Sequence, residues 1–245
     1  MLRPILPLML SLGLLTAGSA AATVIADSRL EFSSVQGQDN WHYGNFNRSL
    51  DGDGLYASGE FSPFDQYVAA RQVWRRSQDD TEGDISGIYL ELNEHGGHPS
   101  GLGPDAAQIH EIWAVRRYVA EQAGNFWLEF TLNKDNLNPN AGGITGHIFL
   151  NGLELFSRFI ATDDGVGVSL VLPISLNPGD FLDFAIDPTG LATPRDNFRS
   201  GRSDGSNFFM RVHDALPVPE PVGLSGLGLG AIALLRRRRQ SANRA

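Results

Sequence analysis

The chain has 245 residues, with 28 Asp and Glu against 19 Lys and Arg, and it contains no cysteine. Six of the cationic residues lie near the two ends, leaving 13 against the 28 acids in between, a balance that repels nucleic acid and anionic lipid. Without cysteine there are no disulfides, no Cys nucleophile and no thiolate metal site.

At the start, Arg3, an apolar run over 5–15 broken by Pro7 and Gly13, and the small residues of 17–22 have the layout of a secretory signal peptide. Ala20-Ala21-Ala22 supplies an Ala-x-Ala cleavage site, and Pro4 and Pro7 argue against a buried core helix. We assign 1–22 to the signal peptide and 23–216 to one domain large enough for a sizeable core.

Within that domain, short apolar alternations bounded by Gly, Pro, Asn and Asp read as strands. They are expected near 24–32, 41–46, 67–74, 85–92 and 109–119. In the last of these Ile109, Ile112, Val115 and Val119 also fit a helical period, but its Ile, Trp, Val and Tyr are strand formers, so strand is preferred. The clearest alternation is Phe126, Leu128, Phe130 and Leu132, with Trp127, Glu129 and Thr131 between them: one face is core and the other wet. Asn151-Gly152 between two apolar runs predicts a hairpin with a type I′ turn. Pro173 demotes the strand around 168–176 to an edge or a bulge. After the Asn177-Pro178-Gly179-Asp180 turn come strands over 181–187 and 207–212, while 78–84, 93–106 and 188–206 read as loops. The sum is an all-β chain, a two-sheet antiparallel sandwich of jelly-roll type.

Candidate site residues fall into four groups. Asp51, Asp53 and Glu60 follow Ser49 at calcium-loop spacing, with Gly54 at the sixth position; a plain Asp/Gly turn is the other reading. His95, His98 and His110 offer imidazoles for zinc, but beside Gly-Gly and Pro rather than on a regular element. Glu91, Glu94, Glu111 and Glu129 are carboxylates from which a glycosidase pair would be drawn, although their spacing singles none out. Trp41, Tyr43 and Trp127 present flat faces for stacking on sugars, Trp127 being the best exposed by its alternation; core burial is the competing reading. There is no phosphate-cradling Gly-x-x-x-x-Gly-Lys loop.

At the end of the chain stand Val218-Pro219-Glu220-Pro221, an apolar run over 222–235, and Arg236-Arg237-Arg238-Arg239. Motif, hydrophobic helix and basic cluster in that order resemble the PEP-CTERM sorting signal of bacterial envelope proteins, here over 217–245. The resemblance implies an exosortase-type transpeptidase as partner beside signal peptidase, with delivery to the cell surface or an extracellular matrix. The apolar run is 14 residues, short of the ~20 a stable transmembrane span prefers, which suits transient inner-membrane anchoring before cleavage.

The domain also resembles a β-sandwich module of secreted bacterial proteins. The likeness is carried by Asn40-Trp41-His42-Tyr43-Gly44, Val115-Arg116-Arg117-Tyr118, Ile148-Phe149-Leu150-Asn151-Gly152 and the stretch from Leu176-Asn177-Pro178-Gly179-Asp180 to Pro188. It implies the jelly-roll-like fold and an association with polysaccharide, and it brings no catalytic residue. The expectation is an exported, non-catalytic surface or matrix protein that binds polysaccharide, with no cofactor unless calcium. Its alternatives are a glycoside hydrolase or polysaccharide lyase, and a purely structural matrix component.

Overall fold

The computed structural model describes residues 22–79, 89–100, 111–138, 142–188 and 204–217. The expected signal peptide as far as residue 21 lies outside these residues, as do His110 and the tail from Val218 onward with Pro219, Glu220, Pro221 and Arg236 to Arg239. Among the described residues no helix is long and apolar enough to cross a membrane.

Two antiparallel sheets enclose one main core. The first runs β12 (Val168–Leu176), β9 (Gly124–Lys134), β14 (Ser206–His213), β7 (Gly96–His98), β6 (Glu91–Asn93), β5 (Val73–Arg75) and β4 (Gln66–Val68), with β1 (Val24–Asp27) beside β14. The second runs β11 (Leu153–Ile160), β10 (Ile144–Leu150), β13 (Phe181–Asp187), β8 (Ile112–Val119), β2 (Trp41–Asn47) and β3 (Ser62–Pro63). The all-β, two-sheet sandwich expected from the pattern is present.

The period of two decides which side chains fill it. Phe126, Leu128, Phe130 and Leu132 point inward from β9 and are buried, whereas Trp127, Glu129 and Thr131 are only partly covered. Phe130 meets Phe184 of the facing sheet edge-on at 5.5 Å, and Phe184 meets Phe208 at 4.8 Å. Each such side chain contributes about 1.5–3 kcal/mol by leaving water, an upper range because the unfolded chain is itself partly compact.

Turn chemistry fixes the joints. Asn151 and Gly152 have φ of 52° and 85°, the two positive values of the expected turn, and they join β10 to β11. Pro173 lies on β12, which pairs with β9 alone and is the sheet's edge, where a residue without an N–H is tolerated.

Three stretches depart from expectation. The first strand ends at Asp27 instead of reaching residue 32, because the Asp27 carboxylate accepts the N–H groups of Arg29 at 2.9 Å and Leu30 at 3.1 Å and turns the chain. The span 67–74 is two strands, β4 and β5, joined by a turn at 69–72 in which Gln72 has φ 55°. Within the expected loop 93–106, Gly96 and Gly97 pair with β14 as β7. A Cβ on Gly96 would stand 1.8 Å from the Ser206 carbonyl oxygen, so only glycine lets the backbones come together there.

Candidate functional site

Between β2 and β3 the chain runs as a strap, residues 48–61, across the outer face of the second sheet. Tyr56 is its anchor. The Tyr56 ring packs on Phe149 at 4.8 Å and Phe46 at 5.2 Å, within a second apolar cluster that includes Trp113, Val115 and Ala185. The Tyr56 hydroxyl donates to Asp183 Oδ2 at 2.8 Å, and Arg117 donates to both Asp183 oxygens, to the Tyr56 hydroxyl and to the Ser58 carbonyl. Burial pushes the Tyr56 pKa up and the Asp183 charge pushes it further, so this hydroxyl keeps its proton and holds the strap.

Where the strap, β3 and residues 65–78 meet, a groove of about 510 Å³ opens at the sheet edge. Asn45, Phe46 and Asn47 of β2 line one part of it, Leu50, Asp51 and Glu60 of the strap another, and Ser62, Pro63, Asp65, Arg76 and Gln78 the rest. The Asn47 amide oxygen is buried without a hydrogen-bond partner among the described residues. Asn45 donates its amide to the Ser62 carbonyl at 3.0 Å. The lining therefore combines amides, carboxylates and apolar walls, the mixture suited to a polyhydroxylated ligand.

The charges in the groove are held in place. Arg76 is locked in a two-pronged ion pair with Asp79 at 2.7 and 2.9 Å. Asp65 accepts both the N–H and the hydroxyl of Ser77, at 2.7 and 2.6 Å, which lowers its pKa. Asp51 and Glu60 influence each other's ionisation. For Glu60 the Ala57 N–H favours the charged form, but some burial and the Asp51 carboxylate outweigh it and raise the pKa. For Asp51 the slight burial is outweighed by the hydrogen bonds from Glu60 and the Gly54 N–H, and the pKa falls.

Most of the site residues expected from the sequence lie elsewhere. Trp41 and Tyr43 do share a strand face, but it is the inner one, and both are fully buried. The Trp41 indole donates to Glu31 at 2.7 Å and Tyr43 stacks on Trp74 at 5.8 Å, so neither is available to a sugar. Trp127 is half-buried on the outer face of the first sheet, between Pro173 and His213 in register, beside Glu129. Asp53 accepts the Leu55 N–H at 2.9 Å and Glu60 the Ala57 N–H at 2.7 Å, so the calcium-spaced loop is a chain of capped turns. Among the described residues no three acidic or imidazole groups converge on a metal position.

His95 is exposed, while His98 is buried with Nδ1 directed at the Tyr89 and Pro99 carbonyls and Nε2 accepting the Asp204 N–H at 3.1 Å. Burial drops the His98 pKa to about 4, and both ring nitrogens are engaged by backbone. Glu91 pairs with Arg71, Glu111 with Arg48 and Glu129 with His213, on separate strands, so these carboxylates flank no common cleft.

No family model matches the chain, and no curated protein matches it. Solved structures do, at a distance. A family 35 carbohydrate-binding module from Clostridium thermocellum is 15% identical, with 59% of this chain and 89% of that chain covered and a TM-score of 0.29. The C-terminal family 6 carbohydrate-binding module of LamC from Zobellia galactanivorans is 13% identical, with 52% and 93% covered and a TM-score of 0.25. For a β-glucosidase from Kluyveromyces marxianus the values are 12%, 76% of this chain, 18% of that chain and 0.31. These are likenesses of fold alone.

Sequence reading missed the groove because its walls come from segments without periodicity. The one legible signal is the Asp- and Gly-rich strap, whose spacing reads either as a calcium loop or as a plain Asp/Gly turn.

Proposed function

We propose that this chain is an exported, non-catalytic surface or matrix protein that binds polysaccharide through the groove beside the strap. Export and sorting rest on the two ends of the sequence, with signal peptidase and an exosortase-type transpeptidase as partners and the inner membrane as a transient station. Polysaccharide binding rests on one observation: a groove of about 510 Å³ lined by the amides of Asn45 and Asn47, the carboxylates of Asp51, Glu60 and Asp65 and the exposed side chains of Leu50 and Pro63. Sugar hydroxyls pair with such amides and carboxylates, and sugar C–H faces suit such walls. The jelly-roll reading of the sandwich is supported by the repeated crossing of the chain between sheets, from β8 to β9 to β10 and from β11 to β12 to β13 to β14.

The non-catalytic reading is supported by the carboxylates themselves. Asp51 accepts the Gly54 N–H and Glu60 the Ala57 N–H as caps within the strap's own turns, whereas glycoside hydrolysis needs two carboxyl groups about 5–9.5 Å apart and free to act on the sugar between them. Asp65 is occupied by Ser77.

Affinity electrophoresis of the purified protein across a panel of neutral, acidic and amino-sugar polysaccharides tests the proposal. Retention by at least one, weakened about fivefold or more by Asn47→Ala for the ~1 kcal/mol of one lost hydrogen bond, is the expected result. Trp127→Ala serves as the contrast: loss of retention there, with Asn47→Ala unchanged, moves the contact to the outer face of the first sheet. Free migration in every glycan, or release of reducing ends on incubation, sinks the proposal in favour of the structural or the enzymatic alternative.

A further inference from the structure

On the outer face of the second sheet, beyond the groove, His147 of β10 lies flat on Trp113 of β8, with ring centroids 4.6 Å apart and planes within 6°. Its Nδ1 is 2.7 Å from Glu154 Oε1 on the edge strand β11, and its Nε2 is 3.7 Å from Asp187 Oδ2 on β13. The second distance is too long for a hydrogen bond but well within reach of charge attraction.

Glu111, just before β8, belongs to the same patch. Asp187 repels its carboxylate, and Arg48, the first residue of the strap, binds it at 2.6 Å; the Trp113 indole N–H stands 3.3 Å away. Arg48 also donates to the Gly54 carbonyl at 3.1 Å inside the strap. Phe149 closes the imidazole's flank at 5.7 Å, and the neighbouring Asp183 is neutralised by Arg117. The charged groups acting on His147 among the described residues are therefore Glu154 and Asp187, with Glu111 and its partner Arg48 on the far side of Asp187 and Trp113.

With the ring protonated, the imidazolium donates to Glu154, attracts Asp187 and rests its charge on the indole face. A neutral ring keeps one N–H and loses the charge that draws in both carboxylates. We infer that His147 is a proton-operated latch that fastens the edge strand β11 to the second sheet. What it releases is specific. Among the described residues β11 pairs with β10 alone, and Leu153, Leu155 and Phe159 are already 69%, 37% and 38% exposed, so loosening it frees an apolar strand edge.

The direction follows from the surroundings. Burial alone lowers the pKa of His147, but Asp187 and Glu154 outweigh it and raise the pKa. A raised folded-state value means that the latch acts in full below the ordinary histidine value and is lost as pH rises through the folded one.

Hydrogen exchange of the full chain, corrected for intrinsic rates and followed between about pH 6 and 9, tests this, with the Trp113-quenching titration of fluorescence as a second readout. In the wild type, protection of residues 153–160 is expected to fall roughly tenfold across the titration while that of 48–61 stays level, and indole emission to rise with the same midpoint. His147→Gln is expected to abolish both changes. Glu154→Gln, at a half-exposed position that leaves the core intact, is expected to move the midpoint down. Equal pH dependence in the wild type and His147→Gln, or flat exchange in the wild type with an unmoved midpoint in Glu154→Gln, overturns the inference.

Discussion

Among single residues, the aromatics show how far a sequence pattern carries. Trp41, Tyr43 and Trp127 all sit on strands, and alternation correctly paired the first two on one face. Which face is inward depends on where the other sheet lies, and that is set by contacts distant in sequence. For Trp127 the flanking run Phe126, Leu128, Phe130 and Leu132 resolved the question locally; β2 has no such run, since its inner positions pass from Trp41 and Tyr43 to Asn45 and Asn47. Trp41→Ala should therefore cost about 3–5 kcal/mol, read as a lower urea midpoint, because it empties a fully buried site and leaves Glu31 with the Asp27 N–H but without the indole. Trp127→Ala should move that midpoint by no more than about 1 kcal/mol, as for a partly exposed surface position. Arg116 is the least expected core residue. It is fully buried, donates to the Ser28 carbonyl at 3.0 Å, lies over Phe208 and has its pKa pulled to about 10 by burial. Nothing in its Val115-Arg116-Arg117-Tyr118 context distinguishes it from Arg117, which faces the opposite way.

At the level of elements, strands with long alternation or clear turn residues were legible: β9 from its period, the β10–β11 hairpin from Asn151-Gly152, and β12 as an edge from Pro173. The short strands were not. β7 exists because β14 approaches Gly96 closely, and the partner lies more than a hundred residues further along the chain. Gly96→Ala should break the β7–β14 pairing and lower the melting temperature by several degrees, each kcal/mol being worth about 2–4 °C in a domain of this size. The control is Gly179→Ala, where an added Cβ meets open space but φ is 88°, so its cost is one of backbone strain alone. An equal loss in the two variants counts against the close approach as the reason for Gly96. The strap makes the same point from the side of function. Its Asp and Gly residues were legible as a turn-rich loop, yet its hold on the sheet comes from Tyr56 meeting Asp183 and Arg117, contacts across 127 and 61 residues.

For the whole molecule, acidity and the lack of cysteine leave stability to burial, backbone pairing and a set of buried ion pairs. Calcium makes a clean test of how the carboxylates are used. With Asp51, Asp53 and Glu60 all engaged in turns, millimolar calcium should leave the melting temperature where excess chelator does, since only a ligand bound to the native state raises it. A rise would restore the metal-loop reading of the strap.

The pH profile should have two limbs. Asp27 is partly buried, which alone would raise its pKa, but Arg211 and the N–H groups of Arg29 and Leu30 lower it below the ordinary 3.8. Its contribution is present above that value and lost as pH falls through the depressed one. On the alkaline side the His147 contribution is lost instead. Thermal melts across pH should show both limbs, with Asp27→Asn flattening only the acid one; an acid limb unchanged in that variant would remove Asp27 from the account.

The placement of β14 has a mechanical consequence. Along its length it is bonded to β9 on one side, and on the other to β7 at Ser206 and Asn207 and to β1 from Arg211 to His213. All of these partners are antiparallel, and the strand lies inside its sheet instead of at the rim. A pull applied along the chain beyond residue 217 therefore loads its ladder bonds together in shear, where an edge strand would unzip one bond at a time. In a domain without disulfides, the order of strands in one sheet takes over the part that covalent cross-links play elsewhere.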